Sequence, residues 1–324
     1  MSPSVQALDK YRSTVREYDA VLEHARAVSS SLLGITPEEP HLNYGEQIFV
    51  KLIAHCVTLR VLAPDPDRKV PSELWDLPSM SAVSRCIIEA HDAFMYIAVG
   101  SLTKSERTFR IRLWELHDKT RRLKMLEAIG SKDPRNAEIL ADSDRLLSQI
   151  TAESFYSSLQ RGVKRKIADG DAPAYYLSQR ERCNINGINF DYYNAITMQL
   201  SQYVHTLPFS VHQLFQFRAG TTDALALMSL PLQYALPFLA RITDEMRQLF
   251  PNATPSAPSR TVRSMATWRA ISARGGKKCR LTTRSTGPIA AGRHLGYKSL
   301  AQIPARRNRP VSSNVRPHQR HAYS

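Results

Sequence analysis

The last quarter of this sequence lacks acidic residues altogether. Residues 251–324 contain no Asp or Glu but 15 Lys and Arg, whereas residues 1–250 contain 29 basic and 29 acidic residues. The formal net charge of +15 therefore belongs to the C-terminal segment. Because a nucleic-acid-binding fold carries its basic patch on the folded body, this distribution argues against nucleic-acid binding by the body as a whole.

Paired cysteines and an apolar N-terminal segment are also missing. The cysteines Cys56, Cys86, Cys183 and Cys279 are scattered and form no Cys-x-x-Cys pair, which excludes a disulfide scaffold and a zinc ribbon. The first ten residues lack the apolar core of a secretory signal. We therefore expect a soluble protein of the reducing cytoplasm that uses no cofactor.

Strand patterns are nearly absent, and helical patterns fill most of the charge-balanced part of the chain. Leu8, Tyr11 and Val15, for example, recur at steps of three and four, the spacing of one helix face. The sequence predicts an all-α fold of seven or eight helices in one bundle-like domain. We expect an N-terminal helix in residues 1–36 and a core bundle in residues 40–250.

One stretch, residues 224–240, has no charged side chain. Its length is at the lower limit of a membrane-spanning helix of about 20 residues. Pro231, Gln233 and Pro237 interrupt it. Because internal prolines kink a helix and the Gln amide needs hydrogen-bond partners, we expect a buried, kinked core helix and no membrane as a partner.

The cationic segment begins with the composition of a linker, since residues 251–259 include three prolines and two serines. Beyond it, arginines are scattered among Gly, Pro and Ser, with few large apolar residues. Such a composition buries too little apolar surface to offset the entropy of ordering it. Residues 251–324 are therefore predicted to form a disordered tail.

Two segments of this tail, residues 286–298 and 308–314, carry a further signal. These segments resemble the ends of predicted bacterial proteins from mobile gene cassettes, where a reading frame runs through a recombination-site repeat. The resemblance implies a reading-frame artefact rather than a selected arm. The alternative is a disordered arm that binds nucleic acid.

Two apolar helices carry polar residues at one-turn spacing. Arg85 and Glu89 are four residues apart in an apolar stretch, so their side chains share one helix face. Ser201 and His205 have the same spacing on a second apolar helix. Because buried charges must be paired and hydrogen-bonded, we expect the two helices to pack together and the four residues to form one internal polar cluster.

These motifs resemble those of a bacterial all-helical family catalogued as domain of unknown function 5677. The resemblance spans roughly residues 40–245 and rests on Ser84-Arg85-x-x-x-Glu89-Ala90, followed by Tyr193 and Leu200-Ser201-x-x-Val204-His205. It implies an all-α fold with an Arg, Glu, Ser and His constellation that faces the interior. It implies no reaction, since the family's activity is unassigned.

Three interpretations of the four residues stay open. The first is a buried network that fixes helix register in a structural or interaction module, with an accessory role such as defence on a mobile element. The second is a phosphodiester-cleaving or other hydrolytic enzyme, in which His205 is the general acid–base, Glu89 orients it and Arg85 holds an anion. Arg85 and His91 also match the Arg-x(4–6)-His spacing of helical toxin-type ribonucleases. The third is a metal site with ligands from His205, His212, Glu89 or His91, although no zinc motif is present.

Two basic segments lie outside the tail. The first is a compact patch between Arg161 and Lys166, which suits either phosphate contacts or a solvated helix end. The second is the predicted helix from about residue 103 to 129, where cations alternate with acids, a pattern typical of a salt-bridged outer face. We expect self-association through helices, and nucleic-acid binding only through the patch or the tail.

Overall fold

The computed structural model describes residues 3–66, 75–100 and 102–275. Within these ranges the chain forms eleven α-helices, one 3-10 helix (Ser154–Ser158) and no strand, so the all-α prediction is confirmed. The α-helices are α1 (Pro3–Ser31), α2 (Pro40–Leu62), α3 (Leu77–Ile97), α4 (Lys104–Ala128), α5 (Arg135–Ala152), α6 (Arg161–Ala168), α7 (Gln179–Ile185), α8 (Phe190–Val204), α9 (Pro208–Gln216), α10 (Thr222–Leu249) and α11 (Ser259–Arg274).

Helices α3 and α10 lie at the centre of the fold. α10 contacts α1, α2, α3 and α11, while α3 contacts α2, α4, α8 and α10. Ile87 and Phe94 on α3, and Leu232 and Leu236 on α10, are fully buried. Helices with apolar residues on most sides belong in a core, and α1, α2, α4, α8 and α11 each pack against one or both of these two.

The uncharged stretch 224–240 lies within α10. Among the described residues, α10 is the one helix long and apolar enough to cross a membrane, and 67% of its most apolar window is buried inside the protein. Pro231 and Pro237 both lie inside this helix and are buried. The carbonyl oxygen of Pro231 accepts a hydrogen bond of 3.0 Å from Ser84 Oγ, which ties α10 to α3. The stretch is therefore a core helix with internal prolines, as its composition predicts.

Two smaller apolar clusters flank the central one. The first forms around Phe109 of α4, against α5 and α6. The second forms around Phe238 of α10, against α3, α7 and α8. In the central cluster, Gly45 lets α2 lie close to α3, because a Cβ at this position would be 2.9 Å from the Cβ of Ala98.

The described part of the chain has eleven α-helices, and the expected count of seven or eight was wrong. The stretch between residues 134 and 167 divides into α5, the 3-10 helix and α6. Helices α7 and α9 are short additional helices before and after α8. Ser178 and Glu181 form a reciprocal capping box at the start of α7, and Pro208 occupies the first turn of α9, where its missing N–H costs nothing.

Helix α11 also corrects the domain boundary expected at residue 250. It packs on α1 and α10 and belongs to one compact unit, Met1–Lys278, with the other helices. Met265 and Trp268 are buried on its inner side, and Trp268 Nε1 donates a 2.8 Å hydrogen bond to Glu17 Oε2. The first part of the expected tail is therefore folded, while residues 276–324 lie outside the described residues.

Candidate functional site

Arg85 and Glu89 form the ion pair that their spacing predicts. Arg85 Nε lies 2.8 Å from Glu89 Oε1, and the Glu89 side chain is 58% exposed. The expected burial of this pair is not observed, because Ile87 and Ile88 point away from it and are themselves fully buried. The pair occupies the solvent side of α3, and such a surface pair stabilises the fold by no more than about 0.5 kcal/mol.

Ser201 and His205 lie apart from that pair. Ser201 Oγ donates to the carbonyl oxygen of Thr197 in its own helix at 2.7 Å. His205 is the exposed residue directly after α8, where its backbone N–H donates to the Ser201 carbonyl at 3.1 Å. Within the described residues, no hydrogen bond or ion pair joins Ser201 or His205 to Arg85 or Glu89.

The antiparallel packing of α3 and α8 explains this separation. Asp92, late in α3, contacts Tyr193 near the start of α8, whereas Ser81, early in α3, lines a cleft with Leu200 near the end of α8. His205 follows the end of α8 and so lies toward the beginning of α3, away from Glu89. The structure thus does not bring the four residues together, and their catalytic role stays a prediction.

A different acid on α3 forms the internal polar network. Asp92 is 4% exposed, and its Oδ2 accepts hydrogen bonds from Tyr193 Oη at 2.7 Å and from Gln179 Nε2 at 2.9 Å. Arg182 Nη2 lies 4.0 Å from the same oxygen and donates to the Gln179 side chain. Three helices, α3, α7 and α8, therefore meet at one buried carboxylate.

Arg182 is held from two further directions. Its Nη1 donates to the Leu177 carbonyl at 2.9 Å, and its guanidinium lies 4.1 Å from the centre of the Tyr175 ring. Burial acts to raise the pKa of Asp92, but the adjacent His91 ring, followed by the hydrogen bonds from Tyr193 and Gln179, outweighs burial and lowers this pKa below its ordinary value. The network therefore keeps a charged carboxylate in the interior.

His91 is the least solvated polar side chain beside this network. It is 0% exposed, and its ring meets Phe238 edge-on with 5.0 Å between centroids. Its Nδ1 is 3.5 Å from Asp92 Oδ1, and neither ring nitrogen has a hydrogen-bond partner among the described residues. Burial lowers the pKa of His91, which outweighs the opposite influence of Asp92. This histidine is therefore a neutral core side chain at physiological pH.

Sequence patterns do not single out Asp92 as a buried acid, although the sequence contains one indication of it. It follows His91 directly in a stretch that is apolar on nearly every side. A charge in such a stretch requires partners, and Asp92 lies three residues after Glu89, only about 60° around the helix from it. The sequence does not say which of the two acids faces α8, because that depends on how α3 is rotated in the fold.

Several cations of the two basic segments make internal contacts. On α4, Lys119 pairs with Asp142 and Arg122 with Asp118, each at 2.8 Å, so the predicted salt-bridged outer face is confirmed. On α6, Lys164 Nζ donates to a backbone carbonyl at 2.7 Å. Within the described residues, no group of three or more His, Cys, Asp or Glu is placed to hold a metal ion.

The corner between α8 and α9 presents an uncommon surface. Five apolar side chains there are exposed, and we call them the α9 face: Val204, Leu207, Phe209, Leu214 and Phe215. Phe215 is the most exposed of them, at 71%. α9 packs mainly against α8, through a hydrogen bond from Tyr203 Oη to the Gln213 side chain and a ring contact between Tyr203 and Phe209.

A narrow cleft with only about 10 Å³ of free space adjoins this face. Its lining comes from α3, α8 and α10 and is uncharged throughout: Leu77, Ser81, Gln199, Leu200, Tyr203, Leu227, Leu230, Pro231 and Tyr234. Tyr203 belongs to the cleft and also touches Phe209, so the cleft and the α9 face are continuous. Because small-molecule pockets measure about 300–1,000 Å³, this cleft is too small to hold a bound metabolite.

No family model, curated protein or solved structure shows significant similarity to the chain. The resemblance to family 5677 accordingly stays a prediction, and function is inferred from the geometry alone.

Proposed function

We propose that this protein is a helical interaction module that binds another protein through the α9 face. The observation that carries this proposal is the exposure of Phe215, 71%, among apolar neighbours in a chain segment without charge. Contiguous exposed apolar surface is typical of interaction sites. Interface cores are enriched in aromatic residues and depleted of charged ones, and the α9 face has both properties.

The buried network around Asp92 supports a structural role for the interior. Its hydrogen bonds join α3, α7 and α8. None of its residues lines the cleft beside α8 or the outer groove along α4 and α5, a space of about 650 Å³ whose lining includes Tyr44, Trp114 and Asp142. A hydrogen-bonded internal network of this kind rigidifies a fold and specifies one packing, although Arg182 Nε has no hydrogen-bond partner among the described residues. A rigid body that presents one apolar surface is what a binding module requires, since little ordering entropy is then lost on binding.

The geometry favours this function over hydrolysis by His205, Glu89 and Arg85. General acid–base catalysis requires these groups within hydrogen-bond reach of one substrate, about 3 Å from the proton that moves. Arg85 is instead engaged by Glu89, and His205 lies beyond the far end of α8. Neither the cleft nor the outer groove is lined by any of the three.

The binding surface is tested with Phe215→Ser in dilute protein and with a fluorescent dye that binds apolar surface. Because Phe215 is exposed and its ring stacks only on the likewise exposed His212 among the described residues, we expect the variant to unfold at the same temperature and to bind less dye. The matched control is Phe94→Ser, which removes a fully buried ring and should lower stability by about 3 kcal/mol or more. A large loss of stability in Phe215→Ser would show that this ring packs inside the fold, and would contradict the proposal.

The enzyme alternative is tested separately with RNA and with a chromogenic phosphodiester. We expect His205→Ala to match the wild-type protein in both assays, with no turnover attributable to either. Cleavage that disappears in a stably folded His205→Ala variant, and that is also lost in Glu89→Gln, would establish the hydrolytic function instead.

A further inference from the structure

We infer that the outer groove along α4 and α5 binds single-stranded nucleic acid, with a base inside the groove and phosphates beside it. This inference goes beyond the proposed function, because the groove shares no residue with the α9 face. Proteins that bind single strands combine cations for the phosphates with aromatic side chains on which bases stack. The groove has both, and its volume of about 650 Å³ falls within the range of about 300–1,000 Å³ that is typical of ligand pockets.

The charge balance of residues 1–250 conceals a local excess of cations beside this groove. Residues 119–124 on α4 contain four Lys or Arg and no acid, and residues 161–166 on α6 contain four more and no acid. These are the two basic segments that the sequence places outside the tail. The fold brings them close together at one acid that follows α6, Asp171.

Asp171 is shared by three cations. Its Oδ1 lies 2.8 Å from Lys124 Nζ and 3.3 Å from Arg121 Nη2, and its backbone N–H donates to the Lys166 carbonyl at 2.9 Å. The hydrogen bond and charge of Lys124, followed by the charges of Arg121 and Lys166, lower the pKa of Asp171. One carboxylate cannot neutralise three cations, so positive charge is left over at this point.

A second carboxylate, Asp142 on α5, is shared in the same way. It pairs with Lys119 Nζ at 2.8 Å and with Arg145 Nη2 at 2.9 Å, and all three residues line the groove. The other charged residues of the lining are one cation and two acids: Arg122, Asp118 and Glu115. Around the groove and Asp171 together, six cations therefore face four acids, and the excess attracts phosphate.

The groove and the cations at Asp171 form one continuous surface. Arg121 lines the groove and also pairs with Asp171. His117, another lining residue, holds its Nδ1 2.7 Å from the carbonyl oxygen of Ala172, the residue after Asp171. A strand with one base in the groove can therefore place its neighbouring phosphates at Arg121 and Lys124.

Trp114 and Tyr44 supply the aromatic wall of the groove. Of the three tryptophans in the chain, Trp75 and Trp268 are buried, whereas Trp114 is only partly buried and lines the groove. Its ring is perpendicular to that of Tyr44, with 5.4 Å between the centroids. Two perpendicular rings form a corner, in which a flat base stacks on one ring and meets the other edge-on.

The acids beside these rings suit a base rather than a phosphate. Tyr44 Oη donates a 2.7 Å hydrogen bond to Glu115 Oε1. Burial raises the pKa of Tyr44, and the hydrogen bond and charge of Glu115, with the charge of Asp118, raise it further. Carboxylates accept hydrogen bonds from the amino groups of bases. The base is therefore placed at Trp114 and the phosphates at the cations around Asp171.

The phosphate contacts are tested by fluorescence anisotropy of the full chain with a labelled oligoadenylate of about 12 nucleotides. Arg121→Gln/Lys124→Gln removes two cations at Asp171, and the matched control Lys10→Gln/Arg26→Gln removes two exposed cations of α1. We expect the first pair of changes to weaken binding by about 10-fold or more and to reduce the slope of log affinity against log salt by roughly 1–2. The control should have a much smaller effect on both quantities.

Two features of this design keep the comparison clean. Residues 276–324 are present in every protein, so their 11 cations contribute equally to each measurement. Because exposed ion pairs contribute little to stability, all of these variants should remain folded, which circular dichroism checks.

Trp114→Phe tests the stacked base. A base on the indole ring quenches its fluorescence, so we expect oligoadenylate to quench the tryptophan emission of the wild type. The quenching should disappear in Trp114→Phe, which keeps an aromatic ring and retains only the buried Trp75 and Trp268 as emitters. Inorganic polyphosphate, a polyanion without bases, should bind more weakly than oligoadenylate and leave the emission unchanged.

Several outcomes would overturn the inference. Equal effects of the two double variants would place the binding on residues 276–324 or elsewhere on the body. Polyphosphate that binds as tightly as oligoadenylate, or binding without quenching from Trp114, would leave a general polyanion surface with no place for a base. Adenosine monophosphate that quenches Trp114 at lower concentration than oligoadenylate would assign the groove to a free nucleotide. None of these results affects the α9 face, which the dye measurement tests independently.

Discussion

Tyr193 Oη donates a 2.7 Å hydrogen bond to Asp92 Oδ2, and both residues are only 4% exposed. This bond crosses from α8 to α3 at the antiparallel contact on which the orientation of α8 depends. Because α8 leads directly into α9, a contact that fixes α8 also fixes where the α9 face points. The stability of the fold and the presentation of its proposed binding surface therefore share one buried carboxylate.

Tyr193→Phe removes the donor and leaves the ring in place. A hydrogen bond to a charged group contributes about 1.5–3 kcal/mol, so we expect a loss of about 2 kcal/mol in the free energy of unfolding, measured by urea denaturation. The matched control is Tyr192→Phe, since the neighbouring hydroxyl has no hydrogen bond to another described residue. Equal losses in the two variants would mean that the Tyr193–Asp92 bond contributes nothing specific.

Asp92→Asn and Glu89→Gln each replace a carboxylate of α3 by an amide. The first change is at a buried position and the second at an exposed one. Asp92→Asn removes the only carboxylate within 4.0 Å of Arg182, among described residues, and leaves that guanidinium 12% exposed without a counter-charge. Breaking a buried pair from one side costs about 3–5 kcal/mol. Glu89→Gln breaks a solvent-exposed pair and should cost no more than about 0.5 kcal/mol. Thermal unfolding of the two variants shows which acid contributes more to the stability of the fold. Similar unfolding midpoints would contradict the assignment of the network to Asp92.

Long helices were predictable from the sequence because several turns of apolar repeat and clear capping residues coincide. Asn189, for example, caps α8, since its side chain accepts a hydrogen bond from Tyr192 N–H at 2.9 Å. α7 and α9 have only seven and nine residues, which is too few turns for a 3.6-residue period to appear. α11 was missed for a different reason: its apolar residues, Met265 and Trp268, are few and lie among arginines.

The candidate site was less predictable than the fold. Spacing along the chain correctly paired Arg85 with Glu89, since that contact lies within one helix. The packing of α3 against α8 could not be predicted, because a sequence pattern does not state the direction or the rotation of one helix against another. A buried His91 and a buried Asp92 depend on that rotation, and so does the exposure of Phe215 at the end of the chain's uncharged segment.

His91 predicts a pH dependence of stability. Its pKa is lowered in the folded protein, chiefly by burial, whereas an unfolded histidine titrates near pH 6.5. As pH falls below about 6.5 the unfolded chain takes up a proton that the folded chain does not, so the free energy of unfolding decreases by up to about 1.4 kcal/mol per pH unit. The pKa of Asp92 is lowered too, but its contribution is lost only at more acidic pH, below about 4.

The measurement compares urea denaturation at pH 5.0, about 5.8 and 6.5 for the wild type and His91→Phe. A phenylalanine keeps a flat ring against Phe238 and does not titrate. We expect the free energy of unfolding of the variant to fall less steeply as the pH decreases. The difference between the two slopes should correspond to the uptake of about one proton. His24 and His55, whose pKa values are also lowered by burial, remain in both proteins and cancel in the comparison. Identical slopes would show that His91 takes up its proton in the folded state.

Two truncations test whether α11 belongs to the folded body. A chain that ends at Phe250 loses the buried side chains of Met265 and Trp268 and the bond from Trp268 to Glu17. It also frees Arg241, whose guanidinium donates to Ser272 Oγ at 2.8 Å and to the Arg269 carbonyl at 3.3 Å. Burying a large apolar side chain contributes about 1.5–3 kcal/mol, so this truncation should cost about 4 kcal/mol or more.

A chain that ends at Gly275 retains all of these contacts, since Gly275 is the residue that ends α11. We expect its free energy of unfolding to equal that of the full chain, because residues 276–324 contain 11 cations, no acid and no apolar stripe to bury. The difference between the two truncations therefore measures α11 alone, with the cationic segment absent from both. Equal stability of the two truncated chains would place the end of the folded domain at residue 250. A large loss of stability on truncation at Gly275 would instead show that the cationic segment packs on the body. Its charge would then indicate a binding partner rather than a biased composition.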